Sequence, residues 1–125
     1  MLKHIAITVN DKKDINTFYK DLLGFSETRR FTLPEELSDE LFGINESTEV
    51  VMLHSNDIYL EVFLSDRKIE PIYNHICIAV HNRDDVTGRA QSAGYTVTRV
   101  GRTSKPDLVF LRDSSGNSFE LMDSE

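Results

Sequence analysis

Cysteine occurs once in the chain, as Cys77. A single thiol excludes an internal disulfide framework and suits a reducing cytoplasm. No apolar run approaches the roughly 20 residues that span a bilayer, so no membrane partner is expected. Met1-Leu-Lys-His4 runs straight into a strand pattern, which leaves no room for a signal peptide and points to a cytoplasmic location. Positive charge is also short: 14 Lys and Arg stand against 21 Asp and Glu, a net charge of −7. With no basic stripe to neutralise phosphates, the charge balance argues against a nucleic-acid partner. The arginines that do cluster (Arg29 and Arg30, Arg99 and Arg102) could hold at most one small anion, and they read first as solvated strand ends. What is present is 125 residues, 39% hydrophobic and 28% charged, the profile of one ordinary globular domain.

The chain repeats itself. An offset of 71 residues aligns His4-Ile-Ala-Ile-Thr-Val9 with His75-Ile-Cys-Ile-Ala-Val80, and Gly24-Phe25 falls near Gly94-Tyr95. The halves rejoin where Leu60-Glu61-Val62 matches Phe119-Glu120-Leu121. Alternating apolar residues predict strands over 3–10, 26–31, 49–55 and 57–65, then over 74–81, 95–100, 107–112 and 117–123. Between the first two strands, Ile15, Phe18, Tyr19, Leu22 and Leu23 follow helical spacing, with Asp14 as the expected cap and Gly24 as the stop. The second helix is expected to be capped at Asp84 or Asp85 and stopped by Gly94. Ser55-Asn56-Asp57 and Ser114-Ser115-Gly116 read as tight turns.

Each half is therefore β-α-β-β-β, a first module of about 1–66 and a second of about 72–125. The fold class is α+β, a curved mixed sheet with a concave face, in one domain spanning 1–125. Neither module alone could bury a sufficient core. Residues 32–48 break the symmetry, being much longer than the matching Gly101–Pro106 connection. Thr32 and Glu35 suggest a capping box there, with Pro34 in the first turn, Leu37 and Leu41 one turn apart and Gly43 at the end. This short helix is either a lid or interface element, or a surface excursion packed on its own leucines.

Strand periodicity decides which residues share a face. His4, Ala6 and Thr8 oppose Ile5, Ile7 and Val9, and His75, Cys77 and Ala79 oppose Ile76, Ile78 and Val80. In the closing strands Tyr59, Glu61 and Phe63 point one way, as do Ser118, Glu120 and Met122. With the aliphatic faces on the helices, His4, Glu61, His75 and Glu120 can line the concave side. A strand histidine alone reads as a hydrogen-bonded core residue, and a strand glutamate alone as a solvent-face residue. Their occurrence at equivalent places in both modules favours a divalent metal, since carboxylates flanked by Leu60, Val62, Phe119 and Leu121 need neutralising. Mixed N/O donors suit Zn, Ni, Co, Mn or Fe. His54 and His81 lack such symmetry and read as surface residues. Cys77 could ligate or react, though a small packing role is the simpler reading.

These residues resemble the vicinal oxygen chelate superfamily, the glyoxalase I, bleomycin-resistance and dioxygenase group. The resemblance rests on the two His-headed strands, on Phe18-Tyr-Lys-Asp-Leu-Leu-Gly-Phe25, and on Phe110-Leu-Arg-Asp-Ser-Ser-Gly-Asn-Ser-Phe-Glu-Leu-Met122. It implies His4, Glu61, His75 and Glu120 as ligands of one divalent ion, the pattern of glyoxalase I-like lyases. Related methylmalonyl-CoA epimerases tend to carry Gln where Glu61 stands, and fosfomycin-resistance transferases use three ligands only. Thr8 and Val62-Phe-Leu-Ser65 stand where glyoxalase I carries an Arg and an Asn for glutathione, which points away from a glutathione conjugate.

The implied activity is that of a lyase or isomerase moving a proton on a small substrate that chelates the metal through adjacent oxygens. Glu120 or Glu61 would be the catalytic base, and Thr8, Tyr59, Phe63, Cys77 and Met122 would line the substrate pocket. The alternatives are a non-enzymatic binder of a drug or metabolite, an epimerase, and a fosfomycin-type transferase. The resemblance also implies a homodimer, with each site built within one chain or shared between two.

Overall fold

Alternation in the opening and closing strands decides how each half pairs. In the computed structural model, which describes residues 1–124, β1 (Ile5–Val9) lies parallel to β4 (Ile58–Leu64). β3 (Thr48–Ser55) runs antiparallel to β4, and β2 (Ser26–Leu33) antiparallel to β3. The second half repeats this with β5 (His75–Val80), β6 (Thr96–Arg102), β7 (Lys105–Arg112) and β8 (Ser118–Asp123). The eight strands form two four-stranded mixed sheets, ordered β1-β4-β3-β2 and β5-β8-β7-β6. Register repeats as well: Ala6 pairs with Glu61, and Cys77 with Glu120. The architecture is the expected α+β pair of βαβββ modules, with the strands divided between two sheets.

One face of each sheet is buried. Val9, Leu60 and Val62 in the first and Ile78, Leu121 and Phe119 in the second are 5% exposed or less. The first helix (Ile15–Lys20) lays Phe18 and Tyr19 between the modules, their ring centroids 5.7 and 5.8 Å from that of Phe119 on β8. A single core therefore spans both halves. The helix is wound wider than expected, with the Asp21 N–H reaching the Asn16 carbonyl and the Leu23 N–H that of Phe18. The i→i+5 turn brings consecutive side chains closer to one face, and both Phe18 and Tyr19 are fully buried.

Three caps differ from expectation. The Asp14 side chain does not cap the first helix. It accepts from the Ser114 N–H (2.7 Å), the Ser114 hydroxyl (2.9 Å) and the Tyr95 hydroxyl (2.9 Å) in the other module. The second-module helix (Arg83–Ser92) is capped by Asn82, whose side chain accepts from the Asp85 N–H. Asn82 adopts the left-handed conformation that this short polar residue tolerates (φ 58°). Asp84 and Asp85 sit instead in the first turn, where the helix dipole favours carboxylates. Thr32 makes no capping box, because it belongs to β2 and pairs with Glu49; Pro34 takes the cap position of the insertion helix (Glu35–Phe42). Gly43 ends that helix as expected, at φ 69°. Its leucines stay at the surface: Leu37 and Leu41 are exposed, Ser38 is buried, and Phe42 meets Phe63 edge-on at 5.4 Å.

A buried polar junction closes the core. The Tyr19 hydroxyl donates to Asp113 Oδ2 at 2.6 Å, and the Asn117 side-chain amide donates to the same oxygen at 2.9 Å and to the Thr8 carbonyl at 2.7 Å. Asp113 Oδ1 accepts from the Ser115 and Asn117 N–H groups. Burial, more than its carboxylate partner, pushes the Tyr19 hydroxyl well above the usual tyrosine range. Removing it in Tyr19→Phe leaves Asp113 short of a donor and should lower stability by about 1–3 kcal/mol in urea unfolding. Unfolded tyrosine ionises near pH ~10 while folded Tyr19 stays protonated, so the unfolded state sheds protons first and stability falls as pH rises through that value. Tyr95, pushed up to about 12 chiefly by burial, acts in the same direction. The alkaline decline in melting temperature should be shallower in Tyr19→Phe than in the unaltered protein.

Candidate functional site

The faces turned away from the helices carry the metal-capable residues. His4 precedes β1 on the side of Ala6 and Thr8, and its Nε2 lies 3.5 Å from Glu61 Oε1. The second module repeats the arrangement, with His75 Nε2 3.4 Å from Glu120 Oε1. Both glutamates are half-buried, at 20% and 25% side-chain exposure, and the imidazoles are the more open partners at 43% and 38%. Buried neighbours on either side (Leu60 and Val62, Phe119 and Leu121) hold each carboxylate in register.

His75 Nδ1 lies 2.9 Å from the Tyr73 carbonyl oxygen, so the ring donates its Nδ1–H there. In the neutral ring this bond leaves the Nε2 lone pair on the Glu120 side, the tautomer a metal-ligating histidine needs. Phe110, opposite Glu120 across the β7–β8 pair, tilts against the ring at 5.1 Å. Among the described residues, histidine is the only basic group within ion-pairing distance of either glutamate. Two half-buried carboxylates, each beside an imidazole nitrogen and lacking a lysine or arginine, are a donor set that fits a divalent cation.

The four residues do not converge within the chain. Among the described residues no three or more His, Cys, Asp or Glu side chains form a group that could hold a metal ion. There are instead two half-sites, one per sheet. The β1 and β5 edges adjoin across a cavity of about 230 Å³ lined by Ile5, Ala6, His75 and Ile76, and a smaller one of about 180 Å³ lined by His4, Tyr59 and Cys77.

A family model for the glyoxalase/bleomycin resistance protein/dioxygenase superfamily matches residues 3–110. The chain belongs to that superfamily. It is 31% identical to mouse (Mus musculus) mitochondrial methylmalonyl-CoA epimerase over 96% of this chain and 71% of the relative. Its fold is that of a glyoxalase family protein from Enterococcus faecalis, with TM-score 0.71, 23% identity, and coverage of 97% and 95% of the two chains. It is also that of the genomically encoded fosfomycin resistance protein of Listeria monocytogenes, in a structure complexed with Mn(II) and sulfate (TM-score 0.70, 20% identity, 100% and 93% covered). As a superfamily member this chain thus has relatives that are enzymes, and at least one structural neighbour that binds a divalent metal.

The expected pocket residues separate into groups. Thr8 and Phe63 share a cavity of about 350 Å³ with Phe42 and Ser38 of the insertion helix. Tyr59 is exposed and stacks on His54 at 4.5 Å, while Cys77 shares the small cavity with His4. Partial burial, reinforced by the charge of Glu120, pushes the Cys77 thiol up, so it is not an activated thiolate. Met122 stands exposed two residues beyond Glu120. The arginines are used structurally: Arg30 pairs with Glu27 and Glu49, and Arg99 with Asp84 and Asp107.

Sequence reasoning missed Ser38, Phe42 and Ile44, whose only signal was the extra length of 32–48. It also missed Asn117, which holds the β1 backbone at Thr8 from the opposite module. No helix among the described residues is long and apolar enough to cross a membrane. Chelator-stripped protein titrated with Mn(II) or Zn(II) should take up one ion per chain. Replacing His4 or His75 with Ala should weaken uptake by more than the about 10–100-fold typical of losing a ligand's hydrogen-bond partner.

Proposed function

We propose that this chain is a metal-dependent lyase or isomerase that moves a proton on a small substrate bound through two adjacent oxygens. The observation that carries this reading is the repeated His–Glu pair: His4 with Glu61, and His75 with Glu120, at equivalent registers on the open faces of two sheets. The pairs would hold one divalent ion of the Zn, Ni, Co, Mn or Fe class. Bound there, the ion supplies Lewis acidity toward the substrate oxygens and neutralises the two carboxylates.

The chain's own residues do the rest. Glu120 or Glu61 takes the proton next to the substrate carbonyl on a carboxylate oxygen and returns it to carbon. The buried side chains beside each glutamate restrict its rotamers and keep water from its inner edge. The Tyr73 carbonyl fixes the tautomer and ring plane of His75. Thr8, Tyr59, Phe63, Cys77 and Met122 bound the space in which the substrate sits. Similarity to methylmalonyl-CoA epimerase favours, as a second reading, return of the proton to the carbon it left. The paired glutamates and imidazoles favour chemistry over simple binding of a drug or metabolite.

A second copy of the chain completes the site. Each copy alone presents two half-sites, and Tyr59, Ile72, Tyr73 and Met122 are exposed apolar side chains beside them. Pairing the His4–Glu61 half of one copy with the His75–Glu120 half of the other gathers four ligands and covers these residues. The lone exposed thiol of Cys77 suits a reducing cytoplasm.

Two measurements test this. Glu61→Gln and Glu120→Gln should each slow exchange of the substrate's α-proton with deuterated water by about 10²–10⁴-fold, with the circular dichroism spectrum unchanged; a fully active double variant would sink the proposal. His4→Ala and His75→Ala should each be inactive, yet unfolding and refolding them together should restore activity, because one of the two sites in a mixed dimer keeps all four ligands. Absence of rescue would place the site within one chain.

A further inference from the structure

The cavity between the first sheet and the insertion helix has no role in proton transfer, yet it begins at Ala6 and Thr8, on the same strand face as the first half-site. Thr8 pairs with Phe63 one two-residue step beyond the Ala6–Glu61 pair. That step is about 6.6 Å along the same face of the same two strands. The cavity holds about 350 Å³, and its walls are mainly apolar: Phe42, Ile44, Phe63 and Ile69. Ser38, the one buried residue of the insertion helix, is 2% exposed and lines it with a small side chain. Arg67 and Lys68 also line it, with Arg67 held by Glu46 at 2.7 Å.

The second module has no equivalent. β6 ends at Arg102 and β7 begins at Lys105, so a two-residue turn stands where the first module carries its helix. An otherwise pseudo-symmetric site therefore has an apolar recess at one end only.

We propose that this recess receives the non-reacting alkyl arm of the substrate, sets the chain length accepted, and fixes which way round the substrate lies across the metal. The proposal rests on the reading of the His–Glu pairs as the reacting end. A volume of 350 Å³ lies in the range of small-molecule pockets. A flexible arm of a few methylenes can enter a recess floored by Ser38 and walled by aromatic rings, whereas a cation would meet Arg67 and Lys68, and any charged group pressed against Phe42 and Phe63 would lose its hydration.

The test is binding of malonate and its 2-methyl, 2-ethyl, 2-butyl and 2-octyl derivatives to the zinc-loaded protein, followed by calorimetry and by NMR shifts. The two carboxylates offer neighbouring oxygens, and the alkyl group reports on the recess. Affinity should rise about fourfold per methylene from methyl to butyl, the factor that corresponds to burying one CH₂, and the signals of Ile44 and Phe63 should move. Ser38→Leu fills the recess and should reduce the butyl-to-methyl ratio to near one. Phe42→Ala, at an exposed position the fold tolerates, opens the wall and should shift the best chain beyond butyl, which decides the matter if Ser38→Leu does not fold. Malonate binding with no chain-length gain, or with the same gain in Ser38→Leu, overturns the recess while leaving the metal reading intact. Butyl and octyl derivatives binding in a Ser38-dependent way without malonate binding would uphold the recess and overturn the metal reading. If no member of the series binds, both fall.

Discussion

Both halves of the molecule meet on a buried carboxylate. Asp113 is 5% exposed and is surrounded by donors: the Tyr19 hydroxyl, the Asn117 amide and two backbone N–H groups of its own turn. An unpaired carboxylate in that position would be costly to bury. The donors therefore have to come together, and they arrive from the first-module helix and from the β7–β8 turn. Asn117 extends the junction to the Thr8 carbonyl on β1, four residues from His4. Asp14 makes the reciprocal contact, reaching Ser114 and Tyr95. This network, together with the packing of Phe18 and Tyr19 on Phe119, seats the two sheets with their buried faces on one core.

With the aliphatic faces turned inward, period-two geometry puts every second strand residue outward. That constraint accounts for the candidate site without further assumptions. Glu61 and Glu120 lie between core residues and cannot turn away, and the histidines two registers back reach their carboxylates at 3.5 and 3.4 Å. The two pairs match because the modules match. The first module differs where the insertion helix adds a wall to the open face, so the two ends of the proposed site are unlike in shape and polarity.

Much of this was legible in the chain. All eight strands, the three helices, and the glycine stops at Gly24 and Gly43 follow from alternation, helical spacing and turn residues. The shared facing of His4, Glu61, His75 and Glu120 follows from counting by twos. The caps were less legible. Asp14 is a good cap by type, but a buried junction with three donors from the other module offered it more. Thr32 was lost to the β2–β3 ladder. The inward side of the insertion helix was not legible either, since Ser38, not Leu37 or Leu41, is the residue turned inward. These outcomes depend on partners far away in sequence, and no local window contains them.

By itself the sequence determined the repeat, the α+β class, the superfamily and the identity of four metal-capable residues, because each rests on local periodicity or on a motif of adjacent residues. Tertiary structure decided how those residues are grouped. It pairs His with Glu within each module and leaves the pairs apart, since β1 and β4, like β5 and β8, are bonded neighbours while the two sheets meet through core and helix contacts. It also decided that the 32–48 segment walls a recess beside Thr8 and Phe63. That placement depends on how a helix of eight residues packs over a distant strand face, which spacing alone does not encode.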